Sequence, residues 1–188
     1  DCGQTGIVGH LGGVFSIIED NHIHHINNRQ NLAGAEIGGI KMHAAIDVII
    51  RRNHFHHCTR GLWLDWQAQG TRVTQNLFHD NTPPKGTEIS NSLALAEDIF
   101  VEVSHGPTLI DNNLLLSACA GRLSTQGLAF VHNLIAGSFT WVGKGTNNAG
   151  DDLPESTRYT PYHMPHRTEV AGFMTMLQGD GRLYNNIF

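Results

Sequence analysis

The chain has 188 residues, a mass of 20.6 kDa and a net charge of −5 with a pI near 6.2; that is one domain's worth of polypeptide, without the basic footprint that nucleic acid requires. Only 15% of residues are charged, while 21 are Gly and 13 are His, which disfavours a helical bundle, and an evenly spread 40% apolar content excludes a disordered chain. No run of about 18 apolar residues is present, so no membrane partner is expected.

A unit of Asn, any residue and a large apolar residue recurs along the chain. It stands at Asn21-His22-Ile23, Asn53-His54-Phe55, Asn76-Leu77-Phe78, Asn113-Leu114-Leu115, Asn133-Leu134-Ile135 and Asn186-Ile187-Phe188. The steps of 32, 23, 37, 20 and 53 residues fit a period of about 22 with insertions. Upstream of these marks lie short alternating runs, Gly39 to His43, Gly61 to Asp65 and Ile99 to Val103, and second runs follow at Asp47 to Ile50 and Thr108 to Ile110. Short strands at such a period, with no helical pattern between them, predict an all-β fold: a right-handed parallel β-helix, a pectate-lyase-like solenoid. A β-sandwich with Asn-rich turns is the alternative. The expectation is one domain over 1–188, a fragment of a longer chain, with loop insertions at 82–97 and 137–169. Each repeat Asn should face inward at a turn and bond the Asn of the next coil, so that Asn53, Asn76, Asn113 and Asn133 form a column.

Parallel stacking turns sequence alignment into a distance. The coil from Gly61 to Asn76 aligns with the coil from Asp98 to Asn113 at a constant offset of 37. Leu62 then matches Ile99, Leu64 matches Val101, and Asp65 falls on Glu102. With the leucines inward, both carboxylates point outward from one sheet. Adjacent parallel strands lie about 4.8 Å apart, so the carboxyls should be roughly 5–6 Å apart, the spacing of a retaining rather than an inverting glycosidase. Two like charges that close also raise one pKa and leave one acid protonated. Trp63 and Phe100 share the outward parity and are expected to form a sugar-stacking floor. On the preceding coil, Lys41 should lie beside Trp63 and His43 beside Asp65, with Glu36 at the edge of the groove. A lysine there would keep Asp65 ionised.

Several strings carry a family resemblance: Ala35 to Asp47, Gly61 to Trp66 through Asn76-Leu77-Phe78, Phe100 to Pro107 with His105, and Arg158 to His166. They resemble the β-helix xylosidases of glycoside hydrolase family 120. The resemblance implies a retaining β-xylosidase acting on xylo-oligosaccharides or other small glycosides, without a cofactor. In it Asp65 is the nucleophile and Glu102 the acid/base, while Glu36 and Lys41 bind the sugar. Ala35 stands where the family would have a His, and His43 is the residue able to supply that contact.

His163 and His166, three apart in the long insertion, are expected to close over the groove. His24, His56 and His79 each follow a repeat Asn by three residues and should stack in a column. Stacked rings point in parallel rather than converging, so no metal site is expected there. A β-helix polysaccharide lyase and a non-catalytic carbohydrate-binding β-helix are the competing functions, and a homo-oligomer is compatible with the sequence. Cys2, Cys58 and Cys119, odd in number and irregular in spacing, form neither a disulfide framework nor a metal knuckle. They read as buried thiols of a reducing compartment, which favours the cytoplasm.

Overall fold

Alternation of apolar and polar residues in runs of three to six makes strands too short to bury a face alone, and the chain solves this by coiling on itself. The computed structural model describes residues 2–10, 13–32, 36–84, 86, 96–141, 158–176 and 180–188. The first coil carries β1 (Thr5–Gly9), β2 (Ile17–Glu19) and β3 (His22–His24), and the second β4 (Gly38–His43), β5 (Ile49–Arg51) and β6 (His54–His56). The third holds β7 (Leu62–Asp65), β8 (Thr71–Thr74) and β9 (Leu77–His79), and the fourth β10 (Glu97–Ser104), β11 (Thr108–Asp111) and β12 (Leu114–Leu115). The fifth has β13 (Cys119–Thr125), β14 (Leu128–Val131) and β15 (Leu134–Ile135). Beyond it come β16 (Ser138–Trp141), a hairpin of β17 (Tyr159–His163) and β18 (Val170–Thr175), and β19 (Gly181–Tyr184).

Equivalent strands stack into three sheets, β1-β4-β7-β10-β13-β16, β2-β5-β8-β11-β14-β19 and β3-β6-β9-β12-β15. Their pairings are parallel, as a β-helix requires; among the described residues only the hairpin is antiparallel. The interior is filled by the inward residues of each strand, stacked in register. Leu62, Leu64, Ile99 and Val101 come from the first sheet, Val73 and Ile110 from the second, and Phe55, Phe78 and Leu115 from the third, all fully buried. Phe55 and Phe78 stack with centroids 4.4 Å apart. Gly61 makes room for this stack, because a Cβ there would lie 2.8 Å from the Phe78 ring and 2.6 Å from the Asp98 carbonyl.

The Asn column forms and runs further than the four residues expected. Asn21, Asn53, Asn76, Asn113, Asn133 and Asn186 are linked in that order, each donating from its amide nitrogen to the next side-chain oxygen at 2.9–3.1 Å. The backbone N–H of each also donates to that same oxygen. The residue before each ladder Asn (Asp20, Arg52, Gln75, Asn112, His132, Asn185) has φ between 49° and 58°. That left-handed residue bends the chain inward, and the amide then adds hydrogen bonds to the carbonyls at the bend. Asn76, for example, donates to Thr74 O and Ile50 O, both at 3.0 Å.

Two details depart from the sequence reading. The range 137–169 holds β16, which extends the first sheet, and β17, half of the hairpin. In the other insertion, residues 85 and 87–95 lie outside the described residues, and Glu97 already belongs to β10. Of the cysteines, Cys58 is buried and Cys119 half-buried, as expected of buried thiols, but Cys2 is exposed.

Candidate active site

The first sheet pairs Ile40 with Leu62, Lys41 with Trp63 and His43 with Asp65 across β4 and β7. Across β7 and β10 it pairs Leu62 with Ile99, Trp63 with Phe100 and Asp65 with Glu102. The offset of 37 therefore holds along the whole strand. His43, Asp65 and Glu102 form one row, and each precedes a residue in left-handed conformation: Ala44 (φ 49°), Trp66 (φ 42°) and Val103 (φ 45°). The row thus sits where the strands end and the chain turns. Next to Glu102 the register of β10 against β13 shifts, a bulge that re-aims the side chain at its start.

Lys41 is the hub of the row. Fully buried, it salt-bridges Glu36, lies 3.0 Å from Asp65 Oδ2 and 3.0 Å from His43 Nε2, and sits 4.9 Å from the Trp63 ring centroid. His43 Nε2 is also 2.9 Å from Asp65 Oδ2. Glu36, His43 and Asp65 come close enough to suggest a cation site, but the Lys41 ammonium already lies among them, and the chain supplies its own cation. Asp65 Oδ1, by contrast, is buried with no hydrogen-bond partner among the described residues. An acceptor left bare in this way is costly and calls for an explanation.

On the next coil Glu102 accepts from Trp63 Nε1 at 3.1 Å and from Arg158 at 2.7 Å, using a different oxygen for each. Burial pushes the Asp65 carboxyl above its usual range, against the pull of Lys41. Glu102 is raised as well, first by burial and then by the charge of Asp65, against the pull of Arg158. Each carboxylate charge this close disfavours ionisation of the other. The His43 imidazole is held below its ordinary value by burial and by Lys41.

Other residues stand where the sequence did not put them. Trp63 and Phe100 do point outward, but they are 5% and 3% exposed and offer no open stacking floor. The Arg60 guanidinium covers both rings, 4.2 and 4.6 Å from their centroids, and Arg122 lies 5.5 Å from Phe100. Arg60 is itself buried and paired with Glu97 at 2.8 Å, so long cations roof the aromatics. Of the two rings, Trp63 donates its indole N–H to Glu102. His163 and His166 part company. His163 is buried, its backbone bonded to both amide atoms of Gln69 and its Nε2 3.0 Å from Gln67 Oε1. It anchors the hairpin on the turn after β7, while exposed His166 reaches Asp47 at 2.8 Å. His105 packs edge-on to Tyr162 of the same hairpin, and its Nε2 is buried without a partner among the described residues. Arg158, at the foot of the hairpin and 4.9 Å from the Trp66 ring, was not singled out from the sequence. It lies 56 residues from Glu102, and no repeat places it there.

Residues 1–137 match the family described as the right handed beta helix region. Among solved structures, the complex structure of XylC with xylose aligns over 100% of this chain and 26% of that one, with 50% identity and a TM-score of 0.84. This chain thus spans about a quarter of the length of XylC, and the likeness bears out the resemblance to glycoside hydrolase family 120. No curated protein matches the chain.

Proposed function

This chain belongs to the right-handed β-helix family, and from that premise we propose that its first sheet carries a retaining glycoside hydrolase site releasing xylose from xylo-oligosaccharides or similar small β-xylosides. The observation that carries the reading is the pairing of Asp65 with Glu102 on adjacent coils, with Asp65 Oδ1 left bare. Strands about 4.8 Å apart bring such carboxyls to the roughly 5–5.5 Å of retaining enzymes, without room for a water between base and sugar. The likeness to XylC, solved with xylose, supports a pentose as the sugar.

In the first step Asp65 Oδ1 attacks the anomeric carbon while Glu102 gives its proton to the glycosidic oxygen. The aglycone leaves as an alcohol and a glycosyl ester on Asp65 remains. Glu102, now an anion, is stabilised by Arg158 and the Trp63 N–H. In the second step it takes a proton from water as the water attacks the same carbon, and Asp65 departs as a carboxylate. Lys41 favours the ionised form of Asp65 at the start and receives it at the end. Glu36, with its half-exposed carboxylate, has an oxygen left to meet a sugar hydroxyl, whereas both His43 nitrogens already face Lys41, Asp65 and His10.

A 2-deoxy-2-fluoro-xyloside with a good leaving group tests this, because it slows the second step more than the first. Mass spectrometry should find the adduct on the peptide containing Asp65, and NMR of p-nitrophenyl β-xyloside turnover should show β-xylose as the first anomer. An adduct elsewhere, or α-xylose first, would overturn the assignment.

A further inference from the structure

The third sheet carries a concentration of imidazoles that the proposed hydrolase site does not use. Residues i and i+2 of a strand share a face, so His22 and His24 of β3 and His54 and His56 of β6 all point the same way, joined by His79 of β9. The residues between them, Ile23, Phe55 and Phe78, are buried inside. Within a column the rings stack nearly flat: His22 on His54 at 4.8 Å, His24 on His56 at 5.2 Å, His56 on His79 at 5.1 Å. That much follows from the repeat. The neighbouring column changes the chemistry, because rings on the diagonal converge. His22 Nε2 lies 2.7 Å from His56 Nε2, and His54 Nε2 lies 2.6 Å from His79 Nε2. One ring nitrogen from each of His22, His54 and His56 lies within 4.8 Å of the other two.

We propose that His22, His54 and His56 bind one divalent transition-metal ion of the imidazole-preferring class, with Zn²⁺ as the probe. Zn–N bonds of about 2.0–2.1 Å in a tetrahedron separate two ligand nitrogens by about 3.3 Å. The His22–His56 pair needs to open by only about 0.6 Å to admit the ion. The rings are also held from behind, as metal ligands usually are. His56 Nδ1 lies 2.6 Å from His57 Nδ1, so it can keep its proton there and turn a bare Nε2 to the ion. His79 Nδ1 is held by Asp80 at 2.7 Å, and its Nε2 lies beside His54 at the edge of the triad. The face is reachable, since His22 is exposed and His54 and His56 are half-buried. Two coils contribute ligands, and the ion would therefore tie the first coil to the second.

The test is equilibrium dialysis of the metal-stripped whole chain against Zn²⁺, followed by metal analysis and thermal unfolding. One saturable Zn²⁺ per chain is expected, with a Tm that rises with Zn²⁺ because the ion binds the folded state alone. The double variant His22→Gln, His56→Gln should weaken binding by more than the 10–100-fold typical of losing a supporting partner (about that range), with its metal-free Tm near that of the parent. His24→Gln, on the same face but outside the triad, and Cys2→Ser, which removes the exposed thiol, should both keep the ion. Stoichiometry unchanged in the double variant, binding lost with Cys2→Ser, or only weak unsaturable uptake would overturn the proposal. Because the readout is metal and Tm, it is independent of glycosidase activity.

Discussion

Replacing Lys41 by Met is the perturbation that bears most directly on the proposed nucleophile. Methionine fills much of the same space, so the chief loss is the ammonium that now touches Glu36, Asp65 and His43. Asp65 is 6% exposed and would keep His43 Nε2 as its one polar neighbour on that oxygen. Breaking a buried pair by deleting one partner costs about 3–5 kcal/mol. Carried wholly into the reaction, that is about 10²- to 10⁴-fold in kcat/KM, at 1.36 kcal/mol per tenfold. Carried into folding, it lowers Tm by roughly 2–4 °C per kcal/mol for a chain of this size. The pH dependence separates a charge effect from lost packing. Lys41 favours the ionised form of Asp65, so without it the acidic limb of kcat/KM should move to higher pH. The assay is p-nitrophenyl β-xyloside turnover between about pH 4 and 8, with Tm measured in parallel, and with Asp65→Asn as the second arm of a double-mutant cycle. In the Asp65→Asn background the stability cost of Lys41→Met should shrink. An acidic limb that stays in place while activity falls would refute the electrostatic role of Lys41.

Glu102→Ala removes the proposed acid, and turnover of substrates with poor leaving groups should fall by about 10²- to 10⁴-fold; activated aryl xylosides should suffer less, and azide should restore activity by filling the gap beside Arg158. Loss of activity independent of leaving group would count against that role. Asn76→Ala deletes a ladder rung with five hydrogen bonds and takes the acceptor from the buried Asn53 backbone N–H. At about 1–3 kcal/mol per buried group left unsatisfied, chemical denaturation should report a loss of at least about 2 kcal/mol. Asp98, buried and pushed up to about 6 by desolvation against bonds from Ser117 and Asn81, binds a proton more tightly when folded. Its contribution to stability is therefore present below its ordinary pKa and lost as pH rises through about 6, on the order of 3 kcal/mol in all. Denaturation at pH 4 and pH 7 should show that slope, and Asp98→Asn should flatten it.

The sequence by itself determined whatever repeats. In a parallel stack each coil must present the same turn and the same inward residues as its neighbours, so a recurring Asn and a constant offset are enough to put Asp65 opposite Glu102 and Lys41 opposite Trp63. Stacked His24, His56 and His79 followed from the same rule. What only the tertiary structure decided lies off that lattice. The β17–β18 hairpin obeys no repeat, yet it brings Arg158 to Glu102 and fixes His163 against Gln67 and Gln69, contacts spanning 56 to 96 residues. Parity along a strand says which way Trp63 and Phe100 point, but not that Arg60 and Arg122 roof them, because a long side chain reaches across rungs. The converging His22 and His56 nitrogens are likewise a diagonal contact. A one-dimensional period assigns each residue its rung and its face. How side chains meet between rungs depends on rotamers and on chain returning from elsewhere, and these are settled only when the coils close-pack in three dimensions.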